Sequence, residues 1–401
     1  MNIYNGFIKF WILLIPISSV VISQQIPGLT FPNILAILSI FIPITLKNTR
    51  YFKVLFSVVL IFVFYEIVSQ ILILGNGYDL NNSGMKLISS DLNLEIFRSS
   101  LFTQSAYLLC GFLTFLFFYF YYSNRFDKTI LYSGLLLCFY GIYEFLFFLV
   151  YKENGDFLSN RIFGNVEYIN SSFFQPIEIG IYTVNKMKSL TGEPSMFAFT
   201  MFPYLIFAYY KKEISISLLF AFCILMSLCS TMILGLIIII IYNYRNIIKF
   251  SLKPINFIII TIIMLTLLNT DLLTKLILDK FTTENVSTGE RFNLLISNLV
   301  FFGDASLLNK IFGFGFGLSR STDLFSTLLV NVGLFGVLIF CLIYAYPLLK
   351  LKNSNLNNCL RLILILNFTI MMVSVSEFAY LSSWMFLGIA YRCLNVNRGA
   401  T

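Results

Sequence analysis

Two runs of residues combine charge, hydroxyls and backbone freedom in a way that suits group transfer. The first is Thr191-Gly192-Glu193-Pro194-Ser195. Proline fits the first turn of a helix, where its missing donor would have had no partner. Glu193 is thereby placed at a helix N-terminus, where a carboxylate is favoured. It reads either as a capping carboxylate or as a general base for a hydroxyl acceptor. The second run is Gly313-Phe314-Gly315-Phe316-Gly317-Leu318-Ser319-Arg320-Ser321-Thr322-Asp323. No Gly-Lys-Ser/Thr follows it, which excludes a P-loop, and no strand-helix-strand pattern surrounds it, which excludes a dinucleotide fingerprint. It reads either as a turn with aromatic anchors at a membrane interface or as a backbone that approaches a polar ligand closely. Arg291 and Arg320 flank the glycines, and Arg161, Lys186 and Lys188 precede Glu193. The planar fork of arginine matches phosphate oxygens. Each arginine alone reads as an interfacial snorkelling residue; together, with Lys188 on the same side, they read as an anion site.

These residues are carried by an apolar chain. Of 401 residues, 58% are hydrophobic and 11% charged, with mean hydropathy +0.85. Soluble domains are about a quarter charged, so a soluble enzyme, a disordered chain and a DNA-binding domain are excluded. The net charge of +8 is dispersed between apolar runs and not gathered on one face, so no nucleic-acid partner is expected. There is no histidine, which removes a Ser-His-Asp triad and every imidazole metal ligand. The seven cysteines lie in or beside apolar stretches, form no C-x-x-C pair and read as small buried hydrophobes. No metal and no cofactor are expected.

A spanning helix takes about 20 apolar residues. Runs near 7–23, 29–46, 53–74, 99–122, 129–150, 195–210, 214–228, 230–244, 255–273, 323–346, 359–376 and 378–394 give about twelve spans. The expected fold is all-α, a single polytopic membrane unit over residues 1–401. Loop charges set its sidedness. With the N-terminus in the cytoplasm, that side holds sixteen basic residues, Arg125, Lys211, Lys212 and Arg361 among them, against the acids Asp127 and Glu213. Residues 214–244 are apolar throughout but have basic clusters at both ends. Two short helices with a turn at Ser227-Leu228-Cys229-Ser230-Thr231 keep both clusters inside, and both termini then lie in the cytoplasm. Three long loops, 75–98, 151–194 and 274–322, fall outside and mark that face as the working one. Glu66 and Glu144 lie within spans, where acids are costly and either functional or paired. Glu144, a turn or two from the outer edge, is close enough to reach water; Glu66 is deeper, where a proton-coupled role is open to it.

The order and sidedness of these motifs resemble a known family. Glu193-Pro194-Ser195 opens a helix after a long outer loop, and a polar Ser227–Thr231 turn separates two short helices. Gly289-Glu290-Arg291 precedes an amphipathic stretch, then come Gly313-x-Gly-x-Gly317 and Asp323 ahead of Gly333-x-x-Gly336. Over about residues 150–345 the chain is similar to the O-antigen polymerases (Wzy-type) of Gram-negative bacteria, within a superfamily that includes the O-antigen ligases. The resemblance implies a GT-C-like, metal-independent glycosyltransferase of the inner membrane that uses no nucleotide sugar. Such an enzyme joins undecaprenyl-pyrophosphate-linked oligosaccharide repeat units on the periplasmic face, in lipopolysaccharide O-antigen biosynthesis. Membrane lipids and a chain-length regulator protein are the further partners it implies. By the same resemblance Arg161, Arg291 and Arg320 hold the pyrophosphate, Lys186 and Lys188 assist, and Glu193 or Asp323 orients or deprotonates the acceptor.

Two departures matter. The ligases resemble one another in a histidine followed by a small polar residue upstream of Gly-x-x-Gly; here Thr322-Asp323 stands in that place, which favours a polymerase over a ligase. The Ser-Arg pair typical of the short-helix turn is replaced by Ser230-Thr231. The competing class is a flippase for the same lipid-linked sugars, which also has about twelve spans. A flippase would line a central cavity with charge and keep its loops short on both sides.

Overall fold

The computed structural model describes residues 2–23, 28–76, 78, 80, 84–89, 96–161, 175–179, 182–251 and 286–398. The expected span at 255–273 lies outside them. The elements are α1 (Asn2–Leu14), α2 (Phe31–Leu38), α3 (Phe41–Thr45), α4 (Thr49–Asn76), α5 (Ser99–Tyr121), α6 (Asp127–Tyr151), β1 (Pro176–Ile179), β2 (Tyr182–Asn185), α7 (Pro194–Tyr210) and α8 (Ile214–Leu225). There follow α9 (Ser230–Ser251), α10 (Val286–Asp304), α11 (Leu307–Phe312), α12 (Leu324–Lys350), α13 (Asn355–Val373) and α14 (Leu381–Arg398).

The chain is mostly helical, and among the described residues five helices are long and apolar enough to cross a membrane: α4, α5, α6, α12 and α13. Their outer surfaces agree with that reading. On α4, Phe56, Ile61 and Phe64 are 69%, 63% and 66% exposed, an apolar face that a protein in water does not leave open. The core is built from helices that are apolar all round, as helices buried on every side must be. α7 is buried from Met196 through Pro203 and packs on α8, α9 and α13, while α14 packs on α5 and α13.

Two expected spans are interrupted. The run 7–23 is helical only as far as Leu14, because Pro16 disfavours a helical Ile15 and lacks a donor of its own. Residues 15–23 continue as an irregular segment. The run 29–46 is divided into α2 and α3, where the Ser39 hydroxyl donates to the Ala36 carbonyl at 2.6 Å. Residues 214–251 form two helices, α8 and α9, joined through Met226–Cys229.

One short hairpin accompanies the helices. β1 and β2 pair antiparallel, with Pro176 opposite Asn185 and Ile179 opposite Tyr182. Ile177, Thr183 and Val184 supply β-branched side chains that suit the strands.

α12 is interrupted at Gly333, where φ is +60° and ψ −173°. That region is open essentially to glycine alone. A Cβ there would lie 2.4 Å from the Ile311 carbonyl oxygen. The break frees the Val332 carbonyl, which accepts a hydrogen bond from the Tyr65 hydroxyl of α4. Gly333→Ala is expected to cost at least roughly 1–3 kcal/mol through backbone strain, read as a lowered melting temperature in detergent. An unchanged melt would mean that the two halves of α12 can realign.

Candidate anion-binding site

The site is assembled at one end of the helix bundle from segments far apart in sequence. The irregular segment after α1 is its organiser. The Ser18 and Ser19 amides donate to the Leu190 carbonyl at 3.0 and 3.1 Å, and the Ser19 carbonyl accepts from the Asn160 and Arg161 amides at 3.2 and 3.0 Å. The Asn160 side chain mimics a strand partner: it accepts from the Val21 amide and donates to the Val21 carbonyl, both at 2.7 Å. The Arg161 guanidinium then donates to the Ser18 carbonyl at 3.2 Å. Arg161 is thus held by both its backbone and its head group.

Arg320 is positioned from the opposite side by the glycine run. Phe314 and Gly315 donate their amides to the Val330 and Asn331 carbonyls, both at 2.9 Å. The Phe316 amide donates to Glu66 Oε2 at 3.0 Å. The Ser319 amide donates to Asn331 Oδ1 at 3.0 Å, and Asn331 Nδ2 returns a bond to the Ser319 carbonyl at 3.0 Å. Gly313, Gly315 and Gly317 all have positive φ, and a Cβ on Gly315 would sit 2.3 Å from the Gln70 amide nitrogen. These amides are spent on protein acceptors, so the run threads between α4, α5 and α12 and presents Arg320; it does not leave a row of donors for a ligand.

Arg161 and Arg320 come close enough for each to sense the same neighbours. Burial lowers the Arg320 pKa, and the Arg161 charge lowers it further, against the opposing pull of Glu193, Tyr380 and Tyr107. Burial likewise lowers that of Arg161, with Tyr380, Tyr107 and Glu193 opposing. Arg320 is also ion-paired to Glu377, in the turn between α13 and α14. Its side chain is 45% accessible to water. Beside it lies a cavity of about 30 Å³ lined by Ser18, Thr30, Tyr107, Arg161, Glu377 and Tyr380. That is room for about two waters, so an oligosaccharide requires the recess to open further.

The two candidate carboxylates differ. Asp323 is the N-cap of α12: Oδ1 accepts from the Ser326 amide at 2.7 Å, and Oδ2 accepts from the Ser321 and Ser326 hydroxyls at 2.7 and 2.8 Å. It is 7% exposed, and both oxygens are occupied in holding the chain. Glu193 is the N-cap residue of α7 but makes no side-chain cap bond. Among the described residues Oε2 accepts the Ser195 hydroxyl, at 3.2 Å, and the carboxylate stands within electrostatic reach of Arg161 and Arg320.

The remaining expected residues fall outside this cluster. Lys188 is fully buried, 3.0 Å from Glu144 Oε1 and bonded to Asp156 Oδ2. Its charge is committed to two carboxylates, and Glu144, expected to reach water, is 2% exposed. Asp156 is raised by burial, but Lys188 outweighs this and holds its pKa below the usual carboxylate value. Lys186 lies towards Cys229, and burial lowers its pKa. Cys229 donates to the Pro194 carbonyl at 3.5 Å, which sets the α8–α9 turn beside Glu193, and Thr231 bonds Ser374 at 2.8 Å. Arg291 is half-buried on α10 and makes no ion pair among the described residues; α10 reaches the start of α12 through Asn298, 3.4 Å from the Ser326 hydroxyl. Glu66 lends Oε2 to Phe316, while Oε1 has no hydrogen-bond partner.

Tyr107, Glu377 and Tyr380 join the site without being singled out by sequence reasoning. Nothing distinguishes two tyrosines among 23. Glu377 has a signal: it is the one charged residue between the last two apolar runs. The opposite end of the bundle is chemically distinct, with Lys211 paired to Asp127 at 2.6 Å and Arg361 bonded to Asn353, Asn358 and the Leu351 carbonyl.

No protein-family model, curated protein or solved structure matches the chain.

Proposed function

We propose that this chain is an O-antigen polymerase of the inner membrane, with about twelve spans, both termini in the cytoplasm and the Arg161–Arg320 recess facing the periplasm. It joins undecaprenyl-pyrophosphate-linked oligosaccharide repeat units. The observation that carries this reading is the meeting of two guanidiniums and an uncommitted carboxylate, Arg161, Arg320 and Glu193, drawn from two expected outer loops. Membrane lipids surround it, and a chain-length regulator is its expected protein partner.

In this reading the guanidiniums bind the donor diphosphate and stabilise the negative charge that builds as it leaves. Glu193 accepts the proton of the acceptor hydroxyl. The acceptor oxygen forms a bond to the anomeric carbon, the bond from that carbon to the diphosphate oxygen breaks, and the lipid diphosphate departs with the electron pair. Asp323 shapes the site without taking part in proton transfer.

The test is reconstitution in lipid vesicles with lipid-linked repeat units and no nucleotide sugar, with products read as a ladder on a gel. Wild type is expected to give the ladder. Glu193→Gln is expected to slow it about 10²–10⁴-fold, the usual contribution of a positioned base. Asp323→Ala is expected to melt about 1 kcal/mol less stably through its lost cap yet retain a ladder. The reverse pattern in folded protein would exchange the two roles. A wild type that moves repeat units between leaflets without joining them would place the chain among flippases.

A further inference from the structure

The arginine cluster carries an anion of its own. Glu377 is ion-paired to Arg320 and lines the same cavity as Arg161 and Tyr107. The turn that carries it is fixed, because the Ser376 hydroxyl donates to the Ser321 carbonyl at 2.6 Å, one residue from Arg320. The Glu377 side chain is 10% exposed and that of Arg320 45%. The Glu377 carboxylate thus lines the cavity itself, with the Arg320 guanidinium bonded beside it. Among the described residues, two guanidiniums, Arg161 and Arg320, stand near two carboxylates, Glu193 and Glu377. Without Glu377 the repulsion between the two guanidiniums would be opposed among these groups by Glu193. With it, an incoming diphosphate meets a like charge on the residue that should bind it, and like-charge juxtaposition is strongly unfavourable.

We propose that Glu377 is a resident counter-anion of a diphosphate subsite. It holds Arg320 in place between turnovers, yields it to the diphosphate of a lipid-linked donor, and reclaims it as the lipid diphosphate product leaves. The proposal rests on reading the arginine cluster as the diphosphate site. Glu377 touches Arg320 and not the reacting atoms, so it is a positioning residue, and no bond is made or broken at it. Its effect on affinity and on turnover is opposite in sign, because what weakens diphosphate binding also hastens product release.

The probe is inorganic pyrophosphate, titrated calorimetrically into the purified full chain in detergent. Glu377→Gln keeps shape and removes charge, and it is expected to bind pyrophosphate about tenfold more tightly than wild type, a shift of about 1.4 kcal/mol. Arg320→Ala, alone or combined with Glu377→Gln, is expected to abolish binding. In vesicles Glu377→Gln is expected to lower KM for the lipid-linked donor and lower kcat with it, a split that simple misfolding does not produce. Glu377→Asp, whose shorter side chain retreats from Arg320, is expected to fall between wild type and Glu377→Gln, and it serves if the latter does not fold. Binding that is equal or weaker in folded Glu377→Gln would overturn the role of Glu377 and leave the diphosphate site standing. No pyrophosphate binding in wild type or in any variant would overturn the site itself.

Discussion

Arg320→Ala is expected to reduce ladder formation in reconstituted vesicles about 10²–10³-fold, the usual cost of removing one preorganised donor from a developing oxyanion. Arg161→Ala should match it. The two residues come from different loops, and each is held in its own way. Arg161 is fixed by the Ser18 and Ser19 backbone, and Arg320 by the Asn331 clamp on Ser319 and the Glu377 carboxylate. Lysine at 320 keeps the charge but lacks the planar fork, so Arg320→Lys should recover only part of the loss. Arg291→Ala, on α10 and outside the cluster, should lose less than either. A wild-type ladder from folded Arg161→Ala and Arg320→Ala would remove the anion site from the reaction altogether.

Lys188→Ala is expected to destabilise the protein by about 3–5 kcal/mol, because it strands Glu144 and Asp156 as buried carboxylates without a cation. The effect has a signature in pH. In the wild type the Asp156 pKa is depressed, so the stability it contributes is present above the normal carboxylate range and is lost as pH falls through the depressed value. Without Lys188 the burial of Asp156 raises its pKa, so the native state binds the extra proton, and lowering the pH from 7 towards 5 restores stability. Across that range the variant should gain more stability on acidification than the wild type, in which Asp156 does not titrate until lower pH. If Lys188 were a phosphate ligand instead, the variant would lose pyrophosphate affinity with little change in its melt.

Much of the scaffold is legible in the spacing of apolar and basic residues. Apolar runs of about 20 residues mark α4, α5, α6, α12 and α13 because a bilayer demands that length. The paired basic clusters around 214–244 require two helices, since one helix would carry charge across the membrane. Hydropathy does not mark the breaks at Pro16, Ser39 and Gly333, because an apolar residue scores alike in a helix, an irregular segment or a kink. The site is legible in part. Arg161, Arg320 and Glu193 stand out as polar groups on expected outer loops. Lys188 reads as their companion, and only the fold reveals that Glu144 and Asp156 claim it. Asp323 and Glu193 both precede helices, and only hydrogen-bond geometry separates the one that caps from the one that does not. Glu377 carries a signal as the lone charge between the last two apolar runs, but nothing in the sequence ties it to Arg320, and Tyr380 carries no signal.

The bond between Ser18 and Tyr380 spans 362 positions of the chain, and Tyr380 also donates to the Thr191 carbonyl at 3.5 Å. A ribosome releases the first of these residues long before the last. Residues 18–19 therefore wait, first for 159–161 and 190 and finally for 377–380, with their serine amides unpaired in the meantime. Contacts of such separation form late and slowly. A nascent or truncated chain thus lacks a complete recess until the final turn docks.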